Sequence, residues 1–336
     1  MRVGYICEAG GDRGWGHFQR GRALLEVAAP GSAIVVGRGR DEVRSWMEAT
    51  GQQIAVEGWL NAAEPLALRQ VRFDVLVTDD YYVSPMWIAE ACHIRPTFVV
   101  DDWIRDGLEA SGLINVNLGA SRADYPGVKV DHWLLGAEYA LLREEVRLCE
   151  RREPDPRRAA EVLVTLGGSD PYGHTAEIVD DLTQSSWYGA GGRVTAVLGR
   201  SYVGATPWNA WSDDRTARLS VVQQPADFVE RCVQADLVIA GASTVSYELA
   251  YVGVPFVLVA FIDNQARIAA EWAAYGVGPR VWTGDPGWRP ALRSSVKELM
   301  ASGSQRIRRA RLAAKVVDDG GAARWIAALH SALCTS

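Results

Sequence analysis

Gly14-Trp15-Gly16-His17-Phe18-Gln19-Arg20 follows a short apolar run, Val3 to Cys7, and a glycine-rich turn, Glu8-Ala9-Gly10-Gly11-Asp12-Arg13. An amphipathic segment comes next, with Leu24, Leu25 and Val27 expected on its inner side. A strand, a glycine loop and a helix in that order open a Rossmann-like unit. The helix is expected to begin near His17, which puts the imidazole in the first turn at the carboxyl edge of the sheet. Ligands bind on that edge in open α/β sheets. The dinucleotide fingerprint is not met, because Phe18, Gln19 and Arg20 follow Gly14 and Gly16 and none is glycine. His17 and Arg20, three apart, share a helix face. Taken alone, a solvated His and a surface Arg at a helix start is the plainer reading; the rest of the chain changes the odds.

Apolar runs alternate with helix-period segments through the first half. Ala33 to Gly37, Val75 to Thr78 and Thr97 to Val100 read as strands, and Glu42 to Ala49 as a helix. This rhythm predicts a parallel sheet with helices on both faces. Two strands end in acid pairs, Asp79-Asp80 before Tyr81-Tyr82 and Asp101-Asp102 before Trp103. At the ends of neighbouring parallel strands such acids point into the crevice that also takes the loop after the first strand. Carboxylate clusters can hold Mg²⁺, but a role on sugar hydroxyls or in orienting a histidine is preferred here. A helix cap accounts equally well for one acid of each pair. Further strands are expected at Leu113 to Asn117 and Trp133 to Leu135.

A charged, proline-broken stretch, Glu150 to Arg158, is the best linker. It separates a first domain over 1–150 from a second over 159–317, with a closing helix in 318–336 expected to pack back on the first domain. The strand rhythm restarts beyond the linker. Glu161 to Leu166 is a strand and Gly167-Gly168-Ser169-Asp170-Pro171 a turn, in which Asp170 is expected to cap a helix with Pro171 at its first position. Such a loop offers backbone N–H groups and a positive helix end to a phosphate. Ala235 to Ala240 feeds Gly241-Ala242-Ser243-Thr244 and a helix that carries Glu248 one turn in. Pro255 to Phe261 precedes Asp263-Asn264-Gln265, the start of another helix. The pattern predicts two Rossmann-like domains facing across a cleft.

The bulk numbers fit this reading. A chain of 336 residues suits two domains. Apolar and charged fractions of 48% and 23% are those of an ordinary globular protein. A net charge of −6 gives no reason to expect a nucleic-acid partner. Cys7, Cys92, Cys149, Cys232 and Cys334 show no ligand spacing and read as reduced thiols. The N-terminal apolar run is too short for a signal peptide, and the longest run, Val254 to Ile262, is too short for a membrane span. A cytoplasmic protein is expected. Thirteen tryptophans is a high count, and Trp15, Trp103, Trp208, Trp211 and Trp288 fall in loop-like contexts where flat ligands could stack, although most are expected to be packing.

Seven motifs in this order resemble a family. Gly14-x-Gly16-His17-x-x-Arg20, Asp79-x-Tyr81, Asp101-Asp102, Gly136-x-x-Tyr139-Ala140-Leu141-Leu142-Arg143, Gly167-Gly168-Ser169-Asp170-Pro171, Ala242-Ser243-Thr244 with Glu248, and Asn264-Gln265 are similar to motifs of the UDP-sugar hydrolases of the pseudaminic acid pathway and their spore-coat polysaccharide relatives. Asn117-Leu118-Gly119 and Asp124-Tyr125 add to the match. These hydrolases form a branch of the GT-B glycosyltransferase superfamily, which also holds the N-acetylglucosaminyltransferase of peptidoglycan synthesis. The resemblance implies a GT-B fold, a catalytic His17, and UDP in the second domain with Glu248 on the ribose and the backbone of Val221 and Val222 on the base. The cytosylglucuronate synthases of antibiotic pathways, which pass a sugar from UDP to a small heterocycle, are similar to the same branch. The chain also departs from the hydrolases: Ile6 and Glu8 stand where they carry an Arg-x-Asp, and Asn115 and Val116 replace an Asp-Gln.

Cleaving a UDP–sugar bond needs a nucleophile at C1, a base for its proton, and stabilisation of the departing diphosphate. His17 suits the base, and two helix N-termini can meet the diphosphate without a metal or cofactor. Asp79 or Asp101 would orient His17. Glu8, Arg20, Tyr81, Asn264 and Gln265 would lie on the sugar side, and Gly167, Gly168, Ser169, Asp170, Ala242, Ser243 and Thr244 would hold the nucleotide. Trp15 is the candidate face for an acceptor, with packing in its own loop as the equal alternative. The leading expectation is inverting transfer from a UDP-sugar to a small-molecule acceptor. Hydrolysis, with water as the nucleophile, is the alternative.

Overall fold

Val3-Gly4-Tyr5-Ile6-Cys7 is buried at every position, as a strand covered on both faces must be. It is β1 of a computed structural model that describes residues 1–9, 15–36, 40–50, 56–58, 72–81 and 83–335. Gly14 and Tyr82 lie outside the described residues, as does the turn 10–13. The chain divides into two compact units, Met1–Arg147 with Asp319–Ser336, and Leu148–Asp318. Among the described residues no helix is long and apolar enough to cross a membrane.

The first unit runs β1, α1 (Gly16–Leu25), β2 (Ala33–Val36), α2 (Arg40–Thr50), β3 (Val56–Gly58), β4 (Val75–Asp79), α3 (Pro85–Cys92), β5 (Thr97–Val100), β6 (Glu109–Asn115), β7 (Lys129–Leu135) and α4 (Glu144–Arg147). Its sheet is parallel in the order β3-β2-β1-β4-β5-β6-β7. The strand order reverses between β1 and β4, and a crevice opens beyond the carboxyl ends of two strands that diverge in this way.

Helix α1 sits close on β1. Gly21 is buried, and a Cβ there would stand 2.5 Å from Tyr5 Cδ1. A mid-helix glycine costs up to about 1 kcal/mol relative to alanine; here it lets the helix approach the Tyr5 ring. The inner side of α1 differs from the expected one. Phe18, Arg20, Gly21, Arg22, Ala23 and Leu24 are buried, Leu25 is half-buried, and Val27 lies beyond the helix end and is exposed. Two arginines can face inward because both have carboxylates: Arg22 pairs with Glu26 and Glu145, and Arg20 with Asp79.

Strand β6 starts earlier than expected and stops at Asn115, whose side-chain oxygen accepts from Asn117 N at 3.0 Å and turns the chain. Strand β7 likewise begins at Lys129; it is the edge strand, half exposed, so its first residues carry no apolar signal. The 136–143 motif has a packing role. Gly321, at the start of α13 (Gly321–Thr335), lies where any Cβ would collide with the Ala140 carbonyl. Trp325 Nε1 donates to Tyr139 O at 2.8 Å, and Arg324 Nη1 to Glu138 O at 2.7 Å.

The second unit runs β8 (Glu161–Thr165), α5 (His174–Thr183), α6 (Ser186–Gly189), β9 (Arg193–Leu198), α7 (Asp213–Thr216), β10 (Leu219–Gln223), α8 (Phe228–Gln234), β11 (Leu237–Gly241), α9 (Val245–Val252), β12 (Phe256–Ala260), α10 (Asp263–Ala274), β13 (Val281–Trp282), α11 (Trp288–Ala301) and α12 (Gly303–Ala313). Its sheet is also parallel, in the order β10-β9-β8-β11-β12-β13, with the reversal between β8 and β11. Arg306, buried, donates to the carbonyls of Asp155, Pro156 and Arg158 and fixes the charged stretch to this unit.

Candidate active site

In the first unit the reversal point holds a buried charge network. Asp79 ends β4 and is fully buried. Its Oδ1 accepts from His17 Nδ1 at 2.7 Å and from Arg20 Nη2 at 2.7 Å. Its Oδ2 accepts from Arg20 Nε at 2.8 Å and from the Tyr5 hydroxyl. The first turn of α1 brings His17 and Arg20 to the same carboxylate, as their spacing of three requires. Arg20 Nη2 also lies 3.0 Å from His17 Nδ1. Both nitrogens have Asp79 as acceptor, so His17 is assigned the Nδ1–H tautomer from that bond. Nε2 then carries the lone pair. Among the described residues it has no hydrogen-bond partner.

A second carboxylate completes the network. Asp102 accepts from the Tyr81 hydroxyl at 2.6 Å and lies 3.5 Å from Arg20 Nη1. The Tyr81 ring stands edge-on to His17 with centroids 4.7 Å apart. Burial would push the Asp79 carboxyl up, but Arg20 and His17 hold it well below the usual carboxylate range. Burial works against the charge on Arg20, yet Asp79 and Asp102 keep it firmly protonated. Burial, then Asp102, pushes the Tyr81 phenol well above its ordinary value, so it remains a donor.

Of the two acids expected to orient His17, Asp79 makes the contact. Asp101 faces another way: it accepts from Arg105 N at 2.9 Å and Arg105 Nε at 2.8 Å, while its carbonyl accepts from the Tyr125 hydroxyl at 2.5 Å. Glu8, just past β1, is buried and has a polar partner. Trp15 packs edge-on against buried Phe18 at 5.7 Å.

In the second unit the loops after β8 and β11 flank the reversal. Helix α5 starts at His174, three residues beyond the position expected for Pro171. Asp170 has a positive φ of 40°, and its buried carboxylate reaches forward to His174 N at 3.0 Å and Thr175 N at 2.8 Å. Asp170 therefore occupies the α5 N-terminus that the sequence offered to a phosphate. The α9 start is different: Thr244 makes no side-chain capping bond, Ser243 and Thr244 are half-buried, and Ala242 is buried beneath them. Glu248 lies in the first turn of α9.

Gly167 has φ 93°, and Gly167 and Gly168 turn their carbonyls to Gly199, where only a glycine fits. Ser201 N donates to Gly168 O at 3.0 Å, which ties the loop after β9 to the loop holding Ser169. Arg200 stands between Gly199 and Ser201, half-buried, with Nη1 buried and no hydrogen-bond partner among the described residues. Sequence reading missed Arg200, because a single Arg after an apolar run carries no pattern. It also missed Tyr5, which reads as an ordinary strand residue. Val221 and Val222 lie on the edge strand β10, both half-buried. At the start of α10 the Gln265 Oε1 accepts from Phe261 N at 3.1 Å, while Asn264 Oδ1 is buried without a hydrogen-bond partner among the described residues.

No protein-family profile and no curated protein matches the chain. Solved structures do. The chain is similar to MurG of Acinetobacter baumannii, with 13% identity over 98% of this chain and 100% of that one, at a TM-score of 0.65. It is similar to a UDP-glucose: anthocyanidin 3-O-glucosyltransferase in complex with UDP, with 12% identity, 100% and 99% coverage, and a TM-score of 0.65. A spinosyn rhamnosyltransferase, SpnG, complexed with thymidine diphosphate gives 12% identity, 97% and 100% coverage, and 0.61. The fold is GT-B. At these identities the likeness is one of fold, and in a GT-B fold each Rossmann-like domain carries its own reversal point.

Proposed function

We propose that this chain cleaves a UDP-sugar at the anomeric carbon, with inversion, and transfers the glycosyl group to a small-molecule acceptor. The observation that carries the reading is the His17–Asp79 contact at the β1/β4 reversal, which leaves Nε2 as a base. Nε2 takes the proton of the acceptor, the acceptor atom forms a bond to C1, and the C1–oxygen bond breaks with its electron pair leaving on UDP. Asp79 remains ionised and stabilises the imidazolium that results, as a buried carboxylate on Nδ1 does.

The departing diphosphate goes to the second unit. The uncapped start of α9 supplies backbone N–H groups and a positive helix end. Arg200 supplies the charge, since a buried guanidinium nitrogen without a partner is costly until an anion arrives. Gly167, Gly168 and Ser169 form the wall beside it. Glu248 takes the ribose, Val221 and Val222 the base, and the Asn264 Oδ1 a sugar hydroxyl, the donor it lacks. A nucleoside diphosphate as the ligand is supported by two similar GT-B structures solved with UDP or thymidine diphosphate bound.

Hydrolysis, as in the pseudaminic-acid-pathway branch, would use the same base with water in place of the acceptor. Ile6 and Glu8, where that branch has Arg-x-Asp, favour transfer. The test is to incubate the protein with a panel of UDP-sugars, with and without nucleobase, phenol and amine acceptors, and measure UDP. Acceptor-dependent release is expected. Full-rate release without acceptor would make the protein a hydrolase, and no release under any condition would remove the reading.

A further inference from the structure

Five tryptophans stand in loop-like sequence, and four of them are buried or half-buried. Trp15 packs on Phe18, Trp208 is buried, Trp211 lies under the Arg215 guanidinium at 3.4 Å, and Trp288 meets His174 edge-on at 5.2 Å. Trp103 differs. It follows β5, next to β4 in the sheet, and is 53% exposed. Its ring is tilted against Tyr81 at 5.4 Å, and Tyr81 is the residue edge-on to His17. Trp103 is thus two ring contacts from the base, on the ligand-facing edge of the sheet.

The loop that presents it is fixed. Ile104, the next residue, has φ 60°, a conformation that β-branched residues adopt only under constraint. Its side chain packs on the apolar core of the first unit. Arg105 is then held by its backbone and Nε to Asp101, and by Nη1 to the Val83 carbonyl at 3.0 Å. The chain half-buries Ile104 against that core and leaves Trp103 outward at the expense of backbone strain. An outward indole adds nothing to the core, and rigid aromatic faces are what flat ligands stack on.

We infer that Trp103 is the platform on which a flat aromatic or heteroaromatic acceptor stacks, with its reacting O–H or N–H directed to His17. The inference rests on the glycosyl-transfer reading and specifies its acceptor class. It also moves the acceptor face from Trp15 to Trp103.

The test is calorimetric titration of 4-methylumbelliferone, cytosine and cyclohexanol into wild-type protein, Trp103→Ala and Trp103→Phe, each with and without UDP. At least one flat ring is expected to bind wild type, and cyclohexanol is not. Trp103→Ala should weaken ring binding by roughly two- to tenfold, the range an aromatic stack converts to, and Trp103→Phe should retain most of it. UDP affinity should be equal in all three proteins. Equal ring binding by wild type and Trp103→Ala, cyclohexanol binding as well as the rings, or no ring binding at all would overturn the platform. Failure of wild type to bind UDP would instead overturn the functional reading, and ring binding without UDP still decides Trp103.

Discussion

His17 Nδ1 lies 2.7 Å from Asp79 Oδ1, so the first turn of α1 is locked to the carboxyl end of β4. The same carboxylate binds both nitrogens of the Arg20 fork and the Tyr5 hydroxyl. One buried acid therefore orients the candidate base, neutralises a buried cation and fixes a helix on its sheet.

Asp79→Asn should be costly and change the acid response. Arg20 would be left buried without its main partner, a loss of about 3–5 kcal/mol at neutral pH. The Asp79 pKa is depressed in the folded protein, by Arg20 and His17 acting against burial. Its stabilisation is therefore complete above the unfolded carboxyl value, about pH 4, and is lost as pH falls towards the folded value. Hydrogen exchange in β1, β4 and α1 should show wild-type protection falling with acid below about pH 4. Asp79→Asn should start lower and respond less. Equal protection in the two proteins at neutral pH would contradict this.

Gly21→Ala tests how closely α1 must sit. The new methyl would meet the Tyr5 ring at 2.5 Å. Although alanine is the better helix former, the substitution should destabilise by about 1–3 kcal/mol, as overpacking does, and should lower turnover by displacing His17 from Asp79. A raised melting temperature with unchanged rate would show that α1 has room.

Much of this was legible in the sequence, and the failures share a cause. The strands were visible because parallel strands buried on both faces are continuously apolar; Asp79 stood out as an acid ending such a run, and His17 as the imidazole opening the helix after the glycine loop. Of each strand-end acid pair the sequence could not say which points inward, because successive side chains alternate. Asp79 and Asp102 meet Arg20, whereas Asp101 turns to Arg105. The Gly167–Pro171 loop read as a helix cap at Asp170, and Asp170 does cap, but from four and five residues back across a positive-φ turn. Gly21 reads as a helix weakness until the Tyr5 ring beneath it is seen.

Arg200→Gln should weaken UDP binding by roughly ten- to a hundredfold, the value of a hydrogen bond to a charged group, and leave uridine binding nearly unchanged. The UDP affinity of wild type should fall with salt more steeply than that of the variant. Isothermal titration reads both. An equal loss for UDP and uridine would mean that Arg200 supports the loop and not the diphosphate.

Turnover should persist in EDTA. The diphosphate charge is assigned to the α9 start and Arg200, and Asp79 and Asp102 are already engaged by Arg20, His17 and Tyr81. Initial rates before and after chelation check this. Loss of activity restored by Mg²⁺ would reassign the strand-end acids as ligands.

The most direct measurement compares wild type and His17→Asn for the rate of UDP release from a panel of UDP-sugars in the presence of acceptor, alongside their UDP dissociation constants. The account predicts equal UDP affinity, because the nucleotide is assigned to the other unit. It also predicts a rate lower by roughly two to four powers of ten, the contribution of a general base. A His17→Asn rate within a few-fold of a turning-over wild type would contradict it.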